Sequence, residues 1–153
     1  MIIELARVKP EGTPLAGEEP AEILDLPASA DLRAERPIRY ALMAVRTGDT
    51  LVVTGSLETE VTLRCSRCAE AFDFHVSEPA FACDREVPPG VESVDLTGDI
   101  RETILLAFPN YPVCKPDCRG LCAQCGVNLN RSRCGCRPPE TSGWEALDKL
   151  KLD

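Results

Sequence analysis

Apolar and polar side chains alternate along the first half of the chain in the way that half-buried β-strands require. Residues 37–46 and 50–56 flank a Gly-Asp turn, and Leu57, Thr59, Val61 and Leu63 then alternate with charged or polar side chains. The alternation resumes at residues 72–76, after a short cysteine-containing turn at residues 65–68. These runs predict an antiparallel sheet in which the last hairpin carries two cysteines at its tip.

Two helical patterns follow in the second half of the chain. Residues 99–108 begin with the capping-box spacing of Asp99 and Glu102, carry apolar side chains three and four positions apart, and are followed by Pro109. We predict that this helix covers the sheet. A shorter C-terminal helix is indicated by three apolar side chains on one face: Trp144, Leu147 and Leu150. Trp144 is interpreted as an anchor that packs this helix on the body.

Glycine and proline indicate where the loops lie. Residues 1–8 are strand-like, whereas residues 9–20 are interpreted as a loop or mobile arm and residues 88–92 as a loop. The predicted fold is therefore α+β, a mainly antiparallel β-sheet or partly open barrel with one covering helix, followed by a cysteine-rich segment and a short helix. We assign residues 1–113 to the β-rich body and residues 114–153 to the cysteine-rich tail.

The composition is that of one ordinary domain. With 153 residues, 44% of them hydrophobic, the chain can bury a single core. No segment approaches the run of about 20 apolar residues that a membrane-spanning helix needs, so we expect no membrane association. The first residues lack the charged and apolar regions of a secretory signal. We therefore expect a cytoplasmic protein, in which thiols stay reduced.

The formal charge of −8 is unevenly divided along the chain. Residues 114–139 carry five basic side chains against one acidic one, a formal charge of +4, which leaves −12 for everything else. Two Zn(II) ions and the six thiolates of this segment would lower its charge to +2. Residues 114–139 are thus modestly positive, without the strong basic character of many nucleic-acid-binding surfaces. The acidic body is complementary to a basic protein.

Eight of the nine cysteines fall into closely spaced pairs. The pairs are Cys65/Cys68, Cys114/Cys118, Cys122/Cys125 and Cys134/Cys136. A Cys-x-x-Cys turn directs two thiolates at one point, and two such pairs complete a tetrahedral site. We therefore predict two structural zinc sites with four cysteine ligands each. Closed sites of this kind stabilise a fold and leave no coordination position for a substrate.

We predict that the pairs nearest in sequence combine into sites, and one alternative stays open. In the first arrangement, pairs close in sequence combine, so that Cys122, Cys125, Cys134 and Cys136 form one site and Cys65, Cys68, Cys114 and Cys118 form the other. In the second, the two Cys-x-x-Cys turns at residues 65–68 and 122–125 combine as a split zinc ribbon. In both arrangements the first turn attaches the tail to the sheet.

Other cysteine chemistry competes with zinc. Disulfides suit a small cysteine-rich protein but are rare in the cytoplasm, a redox-active dithiol would need only one pair at the start of a helix, and an iron–sulfur cluster is a further alternative. Cys83, which has no close partner, is interpreted as a small buried hydrophobe. His75, the single histidine, is interpreted as a solvated side chain on the polar face of its strand.

The cysteine-rich segment resembles a known family. Residues 112–130 are Pro-Val-Cys-Lys-Pro-Asp-Cys-Arg-Gly-Leu-Cys-Ala-Gln-Cys-Gly-Val-Asn-Leu-Asn. Four further motifs accompany this segment: Arg-Cys-Ser-Arg-Cys at 64–68, Ile-Leu-Leu-Ala-Phe-Pro at 104–109, Cys-Gly-Cys at 134–136 and Trp-Glu-Ala-Leu at 144–147. This order resembles the YceD-like large ribosomal RNA subunit accumulation proteins, over roughly residues 37–150.

The resemblance implies a bacterial or organellar protein of ribosome biogenesis, needed for accumulation or processing of large-subunit ribosomal RNA, with no known catalytic activity. We expect such a protein to bind the pre-ribosomal large subunit through its RNA or through a basic ribosomal protein. Four arginines beside the metal-held loop are the candidate contacts: Arg119, Arg131, Arg133 and Arg137. Their alternative role is a solvated rim of the metal site.

The residues do not favour an enzyme. The glycines form no phosphate-binding loop, and one histidine provides neither a nucleophile with its base nor an open metal site. We expect no small-molecule substrate. The alternatives to an RNA-accumulation factor are a zinc-stabilised protein–protein adaptor unrelated to RNA and a thiol redox protein.

Overall fold

The computed structural model describes residues 1–27 and 32–137. These residues form seven strands and one α-helix. In chain order they are β1 (Ile2–Glu4), β2 (Thr13–Glu19), β3 (Leu32–Arg33), β4 (Ile38–Thr47), β5 (Thr50–Arg64), β6 (Ala71–Glu86), β7 (Ser93–Asp95) and α1 (Thr97–Leu106). Short 3-10 helices follow β1 and β2, at Leu5–Arg7 and Ala21–Leu24.

The strand β5 lies at the centre of the main sheet. It pairs with β4 along its first half, with β3 near its C-terminal end, and with β6 along almost its whole length, always antiparallel. The strand β2 pairs with the far side of β4, while β1 and β7 form a separate two-stranded sheet. The main sheet curls into a half-barrel. The antiparallel sheet or partly open barrel that the alternation predicts is therefore confirmed.

Gly55 interrupts the regular pairing of β5. The register between β5 and β6 shifts between Gly55 and Leu57. Gly55 has a φ of +152°, and a Cβ atom at this position would lie 2.2 Å from the carbonyl oxygen of Ala41. Only glycine allows β4 and β5 to approach this closely. The predicted boundary between residues 50–56 and 57–63 is thus a bulge within one continuous strand.

The hydrophobic core lies inside the half-barrel. Alternate side chains of β5 point inward, and Leu51 and Leu57 are fully buried. Ile100 and Ile104 of α1 join the same cluster and are also fully buried. Burying a side chain of this size stabilises the fold by about 1.5–3 kcal/mol relative to leaving it exposed. The helix therefore covers the sheet, as its apolar spacing predicts.

The prediction of a loop or mobile arm at residues 9–20 is wrong for seven of these residues. Thr13–Glu19 form β2, which pairs with β4 from Thr13 opposite Ala44 to Glu19 opposite Ile38. Proline and glycine suggested a loop, but an edge strand tolerates both because its outer N–H groups need no partner. Gly17 also has a packing role, since a Cβ atom there would lie 2.7 Å from the Tyr40 hydroxyl oxygen.

The start of α1 differs from the predicted capping box. The helix begins at Thr97, and the carboxylate of Asp95 accepts hydrogen bonds from the Thr97 N–H and hydroxyl, at 2.9 and 2.6 Å. These bonds lower the pKa of Asp95. Asp99 instead forms an ion pair with the Arg85 guanidinium. Asp95 therefore supports the first turn of the helix, in the role predicted for Asp99.

Part of the predicted tail lies outside the described residues. The C-terminal helix with Trp144, Leu147 and Leu150 falls within residues 138–153, which the structure does not describe. The division of the chain at residue 113 stays a prediction. Within the described residues, no helix has both the length and the apolar character needed to cross a membrane.

We expect Gly55→Ala to lower the free energy of unfolding by about 2–4 kcal/mol, because the new Cβ atom collides with the backbone of β4 and the φ angle disfavours alanine. Gly48→Ala is the matched control, since Gly48 has a φ of +61° but no atom within 4 Å of an added Cβ. This variant should lose only about 1–2 kcal/mol. Urea denaturation measures both, and equal losses would contradict a specific role for the close approach.

Candidate metal centres

The first cysteine cluster joins the tip of the β5–β6 hairpin to the segment that follows α1. It consists of Cys65 and Cys68 from the hairpin and Cys114 and Cys118 from the later segment, with all four sulfurs within 4.8 Å of one another. Cys65 Sγ lies 3.9 Å from Cys118 Sγ, and Cys68 Sγ lies 3.8 Å from Cys114 Sγ. Three of the four residues are buried. The body of the protein thus encloses this cluster.

The second cysteine cluster lies entirely in the tail. It consists of Cys122, Cys125, Cys134 and Cys136, whose sulfurs also lie within 4.8 Å of one another. None of its members is buried. The two quartets are those of the first arrangement considered from the sequence, in which pairs close in sequence combine. The split ribbon, with residues 65–68 joined to residues 122–125, is not formed.

The two Cys-x-x-Cys turns have the same backbone geometry. In the first, the Cys65 carbonyl accepts a hydrogen bond from the Ala69 N–H at 2.9 Å, and the Cys65 N–H donates to the Glu70 carbonyl at 2.8 Å. In the second, Cys122 makes the equivalent bonds to Gly126 and to residue 127, both at 2.9 Å. Each turn ends in a residue with positive φ, +58° at Ala69 and +72° at Gly126.

Both clusters have the donor set of a tetrahedral metal site. Zn–S bonds of about 2.3 Å place the sulfurs of such a site about 3.8 Å apart, which matches the distances of 3.8 and 3.9 Å in the first cluster. A disulfide would require about 2.05 Å, and all nine cysteines are free thiols. Four sulfur ligands complete a tetrahedral shell, so the chemistry that these clusters offer is structural.

Hydrogen bonds favour loss of the proton from at least one thiol in each cluster. Burial opposes ionisation of Cys65, but neighbouring backbone N–H groups, led by that of Cys114, outweigh burial and lower its pKa to about 6. Backbone N–H groups, led by that of Cys125, likewise lower the pKa of Cys122 to about 6. The thiolate is the form of cysteine that binds metal ions.

Other thiols of the two clusters have raised pKa values. Burial and hydrogen bonds with the neighbouring thiols raise the pKa of Cys114 to about 12. Hydrogen bonding with Cys125 and burial raise the pKa of Cys136 to about 12. Four thiolates at these distances repel one another, and a bound cation would offset that repulsion.

Backbone contacts also hold the tail against the hairpin tip. The N–H and the hydroxyl of Ser66 both donate to the Pro112 carbonyl oxygen, at 2.8 and 2.6 Å. The Leu121 N–H donates to the Arg67 carbonyl at 3.0 Å. The Arg67 guanidinium donates in turn to two carbonyl oxygens of the tail, each 3.3 Å away. The hairpin tip and the first part of the tail therefore form one unit.

Asn130, in the loop between Cys125 and Cys134, contacts the first cluster, and the sequence motifs did not predict this role. Its side-chain nitrogen donates to Cys118 Sγ at 3.4 Å, and its side-chain oxygen accepts from the Arg119 N–H at 2.9 Å. Burial opposes ionisation of Cys118, but this bond is among those that lower its pKa. The Asn-Leu-Asn sequence at residues 128–130, shortly after the second turn, is the feature of the sequence that could have indicated this role. Such contacts orient metal ligands.

All four predicted partner-binding arginines are exposed, but they differ in their contacts. Arg131 forms an ion pair with Glu70, with Nε 2.6 Å from the carboxylate oxygen. Among the described residues, Arg119, Arg133 and Arg137 have no ion-pair partner. Arg131 therefore fastens the tail to the hairpin turn, in addition to any role in binding.

The structure brings to this end of the molecule further side chains that were not predicted to bind a partner. Arg64 and Arg67 come from the hairpin tip, and Lys115 from the tail. Tyr111 is 83% exposed directly before the Pro112 contact. We call residues 64–70 and 111–137 the metal end; it holds seven basic and two acidic side chains.

Two residues outside the clusters occupy the environments that the sequence predicts for them. Cys83 lies in β6, packs against the core and is partly buried. Burial raises the pKa of its thiol, as is typical of an unreactive cysteine. His75 lies on the outer face of β6 and is exposed.

Comparisons with known proteins identify relatives of the chain. A family model described as "Large ribosomal RNA subunit accumulation protein YceD" matches residues 78–151, almost half of the chain. This range includes six of the eight clustered cysteines, but not Cys65 and Cys68. No solved structure matches the chain.

Individual relatives come from plants and mycobacteria. "Large ribosomal RNA subunit accumulation protein YCED homolog 1, chloroplastic" is 25% identical in Arabidopsis thaliana, with 75% of this chain and 49% of the relative covered. The Zea mays protein of that name is 26% identical, with 78% and 55% covered. An uncharacterized protein of Mycobacterium tuberculosis is 32% identical, with 77% and 57% covered. The chain spans about half the length of these curated relatives.

We expect the two turns to respond oppositely to exchange of their positive-φ residues. Gly126→Ala should weaken metal retention in the second cluster, because left-handed φ costs a residue with a Cβ atom about 1–2 kcal/mol. Ala69→Gly should strengthen the first turn, because glycine adopts positive φ without steric cost. The gain should be at most about 1 kcal/mol, because glycine also loses more conformational freedom on folding. Competition with a chromophoric chelator measures both, and a Gly126→Ala variant that retains metal like the parent would contradict this account.

Proposed function

Because the chain belongs to the YceD family of large ribosomal RNA subunit accumulation proteins, we propose that it is a non-catalytic factor of ribosome biogenesis that acts in the cytoplasm. In this role it promotes accumulation or processing of large-subunit ribosomal RNA by binding a precursor of the large subunit. The observation that carries the proposal is the metal end, where two closed four-cysteine clusters hold exposed basic side chains in fixed positions.

The metal in this proposal is zinc, one ion in each cluster. Four thiolate ligands with sulfur separations near 3.8 Å suit Zn(II), which has no redox chemistry of its own and favours tetrahedral closed sites. The ligands would be Cys65, Cys68, Cys114 and Cys118 in one site and Cys122, Cys125, Cys134 and Cys136 in the other. Zinc supplies rigidity, and the protein side chains around it supply binding.

RNA is the proposed ligand of the metal end. With two zinc ions and eight thiolates, the formal charge of this end is +1, so binding depends on individual guanidinium groups positioned to meet phosphates. Arg119, Arg133 and Arg137 are exposed and lack ion-pair partners among the described residues. Tyr111, 83% exposed beside the first cluster, offers an aromatic face on which an unpaired base can stack.

A basic ribosomal protein is the second candidate ligand, supported by the acidic body. The formal charge outside residues 114–139 is −12, and oppositely charged proteins associate faster and more selectively. A zinc-stabilised adaptor unrelated to RNA would use the same surface. A thiol redox protein is less well supported, because a tetrahedral zinc site engages all four thiolates of each cluster.

We expect two zinc ions per chain, and one in Cys125→Ser, because each cluster needs four ligands. Cys83→Ser, outside both clusters, is the control and should keep two. Chelation should open residues 114–137 to hydrogen exchange while β4 and β5 stay protected, since structural zinc stabilises small segments by about 10–16 kcal/mol. Elemental analysis and exchange measured by mass spectrometry check this, and unchanged protection of the tail after verified zinc removal would contradict it.

We expect Arg133→Glu/Arg137→Glu to weaken co-sedimentation with precursor large subunits and to reduce the salt dependence of binding. Losing two phosphate contacts lowers the log–log salt slope by about 1.8 for duplex-like RNA and about 1.4 for single strands. Co-sedimentation across a salt series, with zinc content and thermal melting checked for each variant, provides the measurement.

The matched control is Arg7→Glu/Lys9→Glu, which changes the net charge equally but lies near β1, in exposed residues. This variant should keep the parent's salt slope. If the two double variants lose binding equally, only net charge matters. If Arg133→Glu/Arg137→Glu binds like the parent while folded and loaded with zinc, the metal end does not bind the precursor.

A further inference from the structure

A groove lies between the outer edge of β6 and the C-terminal end of α1, away from both cysteine clusters. Its volume is about 300 Å³. The strand contributes Glu78, Ala80, Phe81 and Ala82, and the helix end contributes Thr103, Leu106 and Ala107. A groove of this kind, with a strand edge on one side and a helix on the other, has the shape that an extended peptide fills.

The strand edge that borders this groove has no strand partner among the described residues. β6 is 16 residues long and pairs only with β5. Near its middle, Pro79 lacks an N–H group, and the Ala80 N–H donates to the carboxylate of Glu78 at 2.9 Å. Both features limit uncontrolled pairing at this point. The backbone from Phe81 to Glu86 lies beyond them and has no strand partner on this side among the described residues, although the Asp84 carbonyl accepts a hydrogen bond from the Arg85 guanidinium at 2.8 Å.

The groove also offers an apolar contact that the fold does not use. Leu106 is 77% exposed at the end of α1, although a leucine side chain gains from burial. Phe81 forms the floor and is 3% exposed. Ala80 and Ala82 on the strand, with Ala107 opposite, leave space for side chains of a partner. An extended segment would place every second side chain toward Leu106.

The charges around the groove select the partner. Glu78 is the only charged side chain that lines it. Glu102 lies one turn before Leu106 on the same face of α1, and Asp84 and Glu86 follow along β6. None of these four carboxylates has an ion-pair partner among the described residues. A basic segment therefore complements this surface better than a neutral or acidic one.

We propose that this groove binds an extended segment of a basic protein, which adds a strand to β6 and alternates apolar side chains with lysine or arginine. The apolar side chains contact Leu106, and the basic ones meet the carboxylates of the rim. This surface is separate from the metal end, and the proposal does not depend on RNA binding there.

The test uses the full chain loaded with metal and a fluorescein-labelled seven-residue peptide of alternating lysine and valine. Fluorescence anisotropy should show saturable binding. The same peptide with alternate backbone nitrogens methylated should bind at least tenfold more weakly, because it cannot form the strand hydrogen bonds. Replacing its lysines by glutamate should abolish binding. Hydrogen exchange should slow at residues 81–86 when the lysine peptide is bound.

Protein variants test the location. Leu106→Asp should weaken binding of the lysine peptide about tenfold and, because Leu106 is exposed, leave the fold intact. Ile2→Asp, at a side chain that is 68% exposed in the other sheet, is the matched control and should bind like the parent. Binding that resists both backbone methylation and Leu106→Asp would overturn the proposal and indicate unspecific charge attraction. Protection of residues 81–86 that rises with protein concentration without peptide would overturn it in favour of pairing between two copies.

Discussion

The sulfur cluster formed by Cys65, Cys68, Cys114 and Cys118 is the constraint on which the second half of the molecule depends. It brings the tip of a long hairpin against a segment about 50 residues later in sequence, where few apolar side chains are available for packing. Hydrogen bonds between Ser66 and the Pro112 carbonyl reinforce the junction, but net contributions of such bonds are each only about 0.5–1.5 kcal/mol. The metal coordination proposed for these four thiolates would be strong enough to hold the junction.

The two clusters differ in what they depend on. The first is shared between body and tail and largely buried, so the curled sheet that positions the hairpin also positions two of its ligands. The second uses only tail residues and is exposed. Asn130, in the loop between Cys125 and Cys134 of the second cluster, contacts the first cluster through Cys118 and the backbone of Arg119. The sheet therefore positions the first cluster, and contacts with the first cluster position the loop of the second. Loss of the second should disturb less of the molecule than loss of the first.

The charge asymmetry of the chain becomes a separation of surfaces in three dimensions. Basic side chains from the hairpin tip and from the tail meet at the metal end, although they are far apart in sequence. Arg131 is partly neutralised there by Glu70, which leaves the remaining arginines as the better candidates for phosphate contact. Carboxylates without an ion-pair partner among the described residues lie instead beside the β6 edge. If both proposals hold, a precursor particle made of RNA and basic proteins presents a ligand for each surface.

Local sequence determined the features that need only neighbouring residues: the alternation of β4 and β5, the apolar face of α1, and the cysteine spacing that indicates two tetrahedral sites. Tertiary structure decided the rest. The strand β2 contains proline and glycine and becomes a strand only because β4 lies beside it. The spacing of the cysteines allowed two groupings, and the position of the hairpin tip against Pro112 selected one. The contacts of Asn130 and Arg131 have no strong local signal either. Such contacts depend on the path of the whole chain between the partners, so no short stretch of sequence specifies them.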